Sequence, residues 1–230
     1  MGGGSRYQLA PNRPPADQLL LTVRRERIEQ ILALRTRTLT VVLDRLEDTF
    51  NMAAVLRTCE GMGIQEVHVV VNPEAPFVPH PKVTQGCEKW LDVHLYESFS
   101  ACREHLKSRG FEILASAAQR SGQSLFSLRF DRRLALVFGN ERFGVSPEAL
   151  GGADGAFWIP MRGFTQSLNV SAAAAASVIR AMSWREEHLG GRGDLTASEI
   201  QALRLRFQML SVKQRERLYR TKRSTAKGTR

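Results

Sequence analysis

The sequence predicts an α/β fold, a mostly parallel sheet covered by helices, on three observations. Short β-branched or apolar runs alternate with segments of helical spacing from residue 38 to residue 188. One run, RLALVFGN at 133–140, is apolar enough to be buried on both faces, as a central parallel strand must be. Three polar clusters each lie at the end of a predicted strand: DTFNMAAVLRTCEGMG at 48–63, VFGNERFGVSPE at 137–148 and IPMRGFTQSLNVSAAAA at 159–175. In an open parallel sheet the carboxyl ends of strands are where ligands bind, so the clusters are expected to converge.

Taken in order, residues 16–37 place apolar side chains at helical spacing against an arginine-rich face and predict a helix. TLTVVLD at 38–44 reads as the first strand, and 51–63 as a helix capped by Asn51 and stopped by Gly61 or Gly63. EVHVVV at 66–71 is the second strand. A proline-rich loop leads to a strand at 91–96 and a helix at 98–110 ended by glycine. FEILASAA at 111–118, the 133–140 run and AFWIPM at 156–161 supply the remaining strands. An alanine-rich helix follows over 167–188, and GGRGD at 190–194 breaks the chain before two further helical segments, the last strongly basic.

The formal charge is +10 over 230 residues, and its location matters more than its size. Residues 41–200 carry sixteen basic and nineteen acidic side chains, whereas residues 201–230 carry ten basic and one acidic. A near-neutral core with basic arms suits a polyanionic partner gripped around a site that the core supplies. The expected division is a basic helical extension over 1–37, a central domain over 38–189 and a second basic extension over 190–230. Cys59, Cys87 and Cys102 match no disulfide framework or zinc motif, which indicates reduced thiols and a cytoplasmic protein without a metal site. MGGGS at the start has no apolar region of a signal peptide, and no run reaches the roughly 20 apolar residues of a membrane span.

Common enzyme templates fail. No G-x-G-x-x-G follows an early strand, GNERFGVS has Val145 where a phosphate loop needs lysine, and no G-x-S-x-G elbow is present. The five histidines, at 68, 80, 94, 105 and 188, are scattered singly, which argues against imidazole catalysis.

The three clusters, in this order and spacing, resemble the motifs of the SPOUT class of RNA ribose 2′-O-methyltransferases, most closely its TrmH branch, which methylates a guanosine in the tRNA D-loop. The patterns are N-x₅-R from Asn51 to Arg57, F-G-x-E-x-x-G-V-S from Phe138 to Ser146, and I-P-M followed by Q-S-L-N-V-S-x-A-x-A. The resemblance runs from about residue 38 to 185 and implies a deep trefoil knot in the C-terminal part of the domain, S-adenosylmethionine bound in that knot, and a homodimer with its site near the subunit interface. It makes Arg57, Asn51, Ser167, Asn169 and Glu141 the expected catalytic residues. Gly139, Ile159, Met161 and Leu168, with Ser167, would cradle the cofactor.

Arg57 matches the family's essential arginine. A guanidinium holds its proton in proteins, so Arg57 is expected to fix a substrate phosphate and stabilise charge on the 2′-oxygen rather than act as the base. Asn51 could hydrogen-bond the ribose or Arg57, or serve as a plain helix cap, and Ser167 could equally be an ordinary cap. Glu141 is expected to hold a basic group or backbone amides. The stretch with Gly86, Lys89 and Trp90 is similar to a family segment that helps hold substrate. Arg24, Arg25, Arg27 and Lys89, with Lys213, Arg215, Arg217, Arg220 and Lys222, fit RNA-gripping arms, whose phosphate contacts position RNA without reading sequence. A sister enzyme acting on ribosomal RNA or another tRNA position, and a non-catalytic RNA-binding protein on the same fold, remain open.

Overall fold

The computed structural model describes residues 16–117 and 122–211 and divides into two compact units. The larger spans 33–200. In the smaller, helix α1 (Ala16–Leu32) and the helical residues 201–211 bury Ile28 and Leu32, and Leu203 and Phe207, respectively. Arg24, Arg25 and Arg27 are exposed on α1, and Arg204 grips Glu29 through two bonds of 2.6 and 2.7 Å. The divisions fall at 32/33 and 200/201. Lys213, Arg215, Arg217, Arg220 and Lys222 lie outside the described residues.

The larger unit is a seven-stranded, wholly parallel sheet in the order β3-β2-β1-β6-β4-β7-β5. The strands are β1 (Leu39–Asp44), β2 (Glu66–Val70), β3 (Asp92–Tyr96), β4 (Glu112–Ala117), β5 (Gln123–Ser124), β6 (Leu134–Gly139) and β7 (Gly155–Trp158). The β6 residues, apolar throughout, are all buried, and this strand sits at the centre, paired with β1 from Leu39↔Leu134 to Asp44↔Gly139. Helices cover both faces: α2 (Thr49–Gly61) and α6 (Val170–Leu189) pack with one apolar cluster, α4 (Phe99–Ser108) and α5 (Pro147–Gly152) with the other. The short helix α3 (Pro81–Thr84) lies against α2.

Four boundaries differ from the sequence reading, the first being α1, which ends at Leu32 rather than at 37. α2 begins at Thr49 with Asp48 as its cap, whose carboxylate accepts from Phe50 N, so Asn51 is inside the helix and its amide is free for other work. α6 begins at Val170 with Asn169 as the cap, not Ser167, which lies in the preceding loop. β7 stops at Trp158, before Pro160, which has no N–H for a strand ladder.

The ends of the larger unit are tied by Arg185, a buried arginine on α6. It donates to the carbonyls of Phe130 and Arg132, to the hydroxyls of Thr36 and Thr38, and to Asp194. Burial pulls its pKa down from the usual arginine range, and Asp194 opposes that shift. The Asp194 carboxylate also accepts from Arg37 N and both threonine hydroxyls, so the GGRGD stretch is an internal clasp.

The histidines are less scattered in space than in sequence. The β2–β3 register places His68 beside His94, and α4 adds His105, with ring centroids 5.0 to 5.6 Å apart. His68 shares a 2.9 Å hydrogen bond with the Tyr96 hydroxyl. The cluster lies on the face of the sheet covered by α4 and serves packing. All three cysteines are buried free thiols, and burial pushes Cys59 up to about 12, which leaves it unreactive. Among the described residues, no helix is long and apolar enough to cross a membrane and no histidine, cysteine or carboxylate group could hold a metal ion.

Candidate active site

At the carboxyl ends of β4, β6 and β7 is a cavity of about 380 Å³. Gly139, Ile159, Met161, Ser167, Leu168 and Asn169 all line it, and Glu141 stands at its edge. Its walls come from the loop after β6 and from the irregular segment 159–169, which Pro160 and Gly163 keep out of the sheet. The size is in the range of a cofactor site, and the mixture of apolar side chains with loop backbone suits a ligand bearing both flat and polar parts.

The loop after β6 turns back over the strand end. Asn140, buried, accepts from Arg142 N and Phe143 N, while its amide donates to Arg45 O and to Glu47. Gly139 is required beneath that turn: a Cβ there would sit 2.1 Å from Val145 N and 2.2 Å from Gly144 C. Gly144 completes the turn at φ +71°, where side-chain-bearing residues are strained. At the neighbouring strand, the buried Asp44 carboxylate accepts from Ser146 N at 2.7 Å and anchors the far end of the loop. Nothing in the local sequence around Asn140 or Asp44 points to these roles beyond a polar residue ending an apolar strand.

Three expected catalytic residues form one hydrogen-bonded chain. Asn169 Nδ2 donates to Asn51 Oδ1 at 3.1 Å, and Asn51 Nδ2 donates to Glu141 Oε1 at 3.0 Å. Glu141 also accepts from the backbone N–H groups of Glu47 and Asp48, both at 3.2 Å. Asn169 Oδ1 accepts from Ser171 N, Ala172 N and the Ser171 hydroxyl. The side chains thus join the start of α2, the loop after β6 and the start of α6. Each amide has its donor and acceptor ends fixed by neighbours, so neither is free to flip.

Arg57 is placed elsewhere. It is exposed, donates to Val83 O at 3.2 Å and is not among the cavity-lining residues. Ser167 is exposed at the cavity wall. Lys89 sits 4.9 Å from the Trp90 ring centroid in a turn of 3-10 helix opened by Gly86 at φ +77°.

Comparison with known proteins decides the family: residues 38–179 match the model of the SpoU rRNA Methylase family. The chain belongs to that family. It is 38% identical over 162 residues to the tRNA (guanosine(18)-2′-O)-methyltransferase of Thermus thermophilus, covering 70% of this chain and 83% of that one. It is 30% identical over 207 residues to the enzyme of the same name from Aquifex aeolicus, covering 89% and 98%. The crystal structure of the A. aeolicus TrmH/SpoU tRNA modifying enzyme superposes with a TM-score of 0.76 over 84% of this chain and 98% of that one. The SpoU match contains all three motif clusters, from Asn51 to the start of α6.

Proposed function

We propose that this protein transfers a methyl group from S-adenosylmethionine to a ribose 2′-hydroxyl of tRNA, at the D-loop guanosine in position 18. The observation that carries the reading is the meeting of the second and third motif clusters around one cavity, with Asn51 of the first hydrogen-bonded to its rim. The names of the Thermus and Aquifex relatives support the substrate.

The cavity fits the cofactor on its own chemistry. Gly139 keeps the strand end free of a side chain where the loop crosses it, Ile159, Met161 and Leu168 offer apolar surface, and the irregular backbone of 159–169 offers polar groups. Bound S-adenosylmethionine supplies an already activated methyl group, so the chain's own residues have to bind, orient and exclude water. Glu141 and Asn51 hold α2 and the cavity rim in register, Asn169 fixes the segment carrying Ser167 and Leu168, and Ser167 is positioned to meet the incoming ribose. Arg57 fixes a phosphate of the RNA and stabilises negative charge on the 2′-oxygen.

A deep trefoil knot and a homodimer belong to the same reading. The tight crossing of 144–145 over Gly139 supports a crowded backbone, and the position of Arg57 outside the cavity supports a site completed at a subunit interface. The exposed arginines at 24, 25 and 27 and the basic residues from Lys213 to Lys222 would grip the tRNA.

The test is to incubate the purified protein with methyl-labelled S-adenosylmethionine and an unmodified tRNA transcript, then map 2′-O-methyl nucleotides by mass spectrometry. One methylated D-loop guanosine is the expected result. Methylation of ribosomal RNA fragments but not of tRNA would overturn the substrate.

A further inference from the structure

Helix α2 presents its polar and aromatic side chains on two faces. Asn51 turns inward to Glu141 and Asn169. Phe50 and Arg57 are seven residues apart, which places them on one outward face about 10 Å apart along the axis. Phe50 is 54% exposed and belongs to neither apolar cluster of the core. The segment 80–83 lies along this face and is pinned at both ends. His80 N donates to Thr49 O at 3.1 Å, and Arg57 Nη1 donates to Val83 O at 3.2 Å. The His80 ring stacks on Phe50, with centroids 4.2 Å apart and planes 17° from parallel. Lys82, exposed, falls between the two pins.

A half-exposed phenylalanine stacked on an imidazole contributes little to a core, yet the backbone bond to Thr49 holds this pair in place. Planar rings beside a guanidinium and an ammonium are the surface that single-stranded nucleic acids use: a base stacks on the ring while cations hold its phosphates. We propose that the Phe50–His80 pair is a stacking platform for one unpaired nucleobase of the RNA substrate, with Arg57 and Lys82 holding the adjoining phosphates. The proposal rests on the RNA-methyltransferase reading. Phe50 immediately precedes Asn51, so a base held on the platform is fixed one residue from the hydrogen-bonded chain that reaches the cavity rim. Stacking accepts any base, so the platform sets position rather than sequence. Phe50 and His80 are positioning residues.

The test compares the full-length wild type with Phe50→Leu and Phe50→Trp. It measures affinity for an unmodified tRNA transcript, KM and kcat for methylation of that transcript, cofactor affinity by calorimetry, and oligomeric state by sedimentation. Phe50→Leu should weaken tRNA binding and raise KM by roughly 5- to 150-fold, the range of one lost base–aromatic stack. Phe50→Trp should restore both to near wild type, and cofactor affinity should stay within two-fold in all three proteins. Equal tRNA affinity and KM for Phe50→Leu and wild type would overturn the platform. So would a Phe50→Leu protein whose loss of tRNA affinity is accompanied by loss of self-association, since the face would then be a subunit contact. If the wild type binds tRNA but methylates none, the functional reading fails, while the affinities of the two variants still decide whether the rings hold a base.

Discussion

Glu141→Ala removes the acceptor at the centre of the site. Its carboxylate takes three N–H donors, from Glu47 N, Asp48 N and Asn51 Nδ2. A hydrogen bond contributes a net 0.5 to 1.5 kcal/mol, and more when one partner is charged. Two of the three bonds are solvent-exposed, where water replaces much of what is lost, so the sum is about 2 kcal/mol. For a unit of this size that corresponds to a drop in Tm of roughly 4 to 8 °C. Glu141→Gln is milder: with its oxygen at the Oε1 position it keeps the bonds to Asp48 and Asn51 and turns an NH₂ toward Glu47 N, costing about 1 kcal/mol. Coupling is the sharper test. In a thermal-melt double-mutant cycle, Glu141→Ala and Asn51→Ala should fall short of additivity by about 1 kcal/mol. Methyl transfer should fall through kcat in Glu141→Ala, Asn51→Ala and the double variant, because the amide that holds Asn169 is either removed or no longer oriented by Glu141. Additivity within about 0.3 kcal/mol, or a kcat near wild type in Glu141→Ala, would refute the idea of a linked chain.

Arg57→Ala should abolish methylation of tRNA while calorimetry finds cofactor affinity within a few-fold of wild type, since Arg57 does not line the cavity. Gly139→Ala puts a methyl carbon 2.1 Å from Val145 N, far inside van der Waals contact, and should eliminate cofactor binding in the same titration, with the fold retained by circular dichroism. His68 is buried, and desolvation, reinforced by His94, His105 and Arg109, pushes it down to about 3 from 6.5. Its folded pKa is depressed, so its share of stability is intact above about pH 6.5 and lost as pH falls toward 3, by about 1.4 kcal/mol per unit. The Tm should therefore fall on the acid side, and His68→Asn, which keeps a polar atom for Tyr96, should flatten that limb. Deleting residues 212–230 should weaken tRNA binding and reduce the slope of log affinity against log salt, measured by filter binding at several salt concentrations.

The parallel sheet and its longer elements could be read from the chain because buried parallel strands leave continuous apolar runs, as at 134–139, and helices leave a period that strands do not, whereas β5, α3 and α5 are too short to leave either pattern. Helix starts were harder. Asp48 and Asn51 are both good caps, and the choice between them depends on Glu141, ninety residues away, which engages the Asn51 amide. Ser167 and Asn169 presented the same ambiguity, resolved by the bond from Asn169 to Asn51. The histidine cluster was invisible because it depends on the register that aligns His68 with His94. Resemblance singled out Arg57, but local sequence could not show that it faces Val83 and Phe50's side of the helix rather than the cavity.

The central position of β6 has a cost during synthesis. Strand β1 pairs on one side with β2, which follows directly, but its other edge waits for residues 134–139. β4 likewise waits for β6 before it can join the sheet. A ribosome that has extruded the chain through β4 therefore leaves one apolar edge of β1 and one of β4, both with open backbone groups, waiting for β6. Such edges invite pairing with other nascent chains, and closing them requires contacts distant in sequence, which form slowly. The strand that walls the cofactor cavity is also the one that seals these edges, so the nascent chain is most exposed to aggregation in the interval before its site can exist.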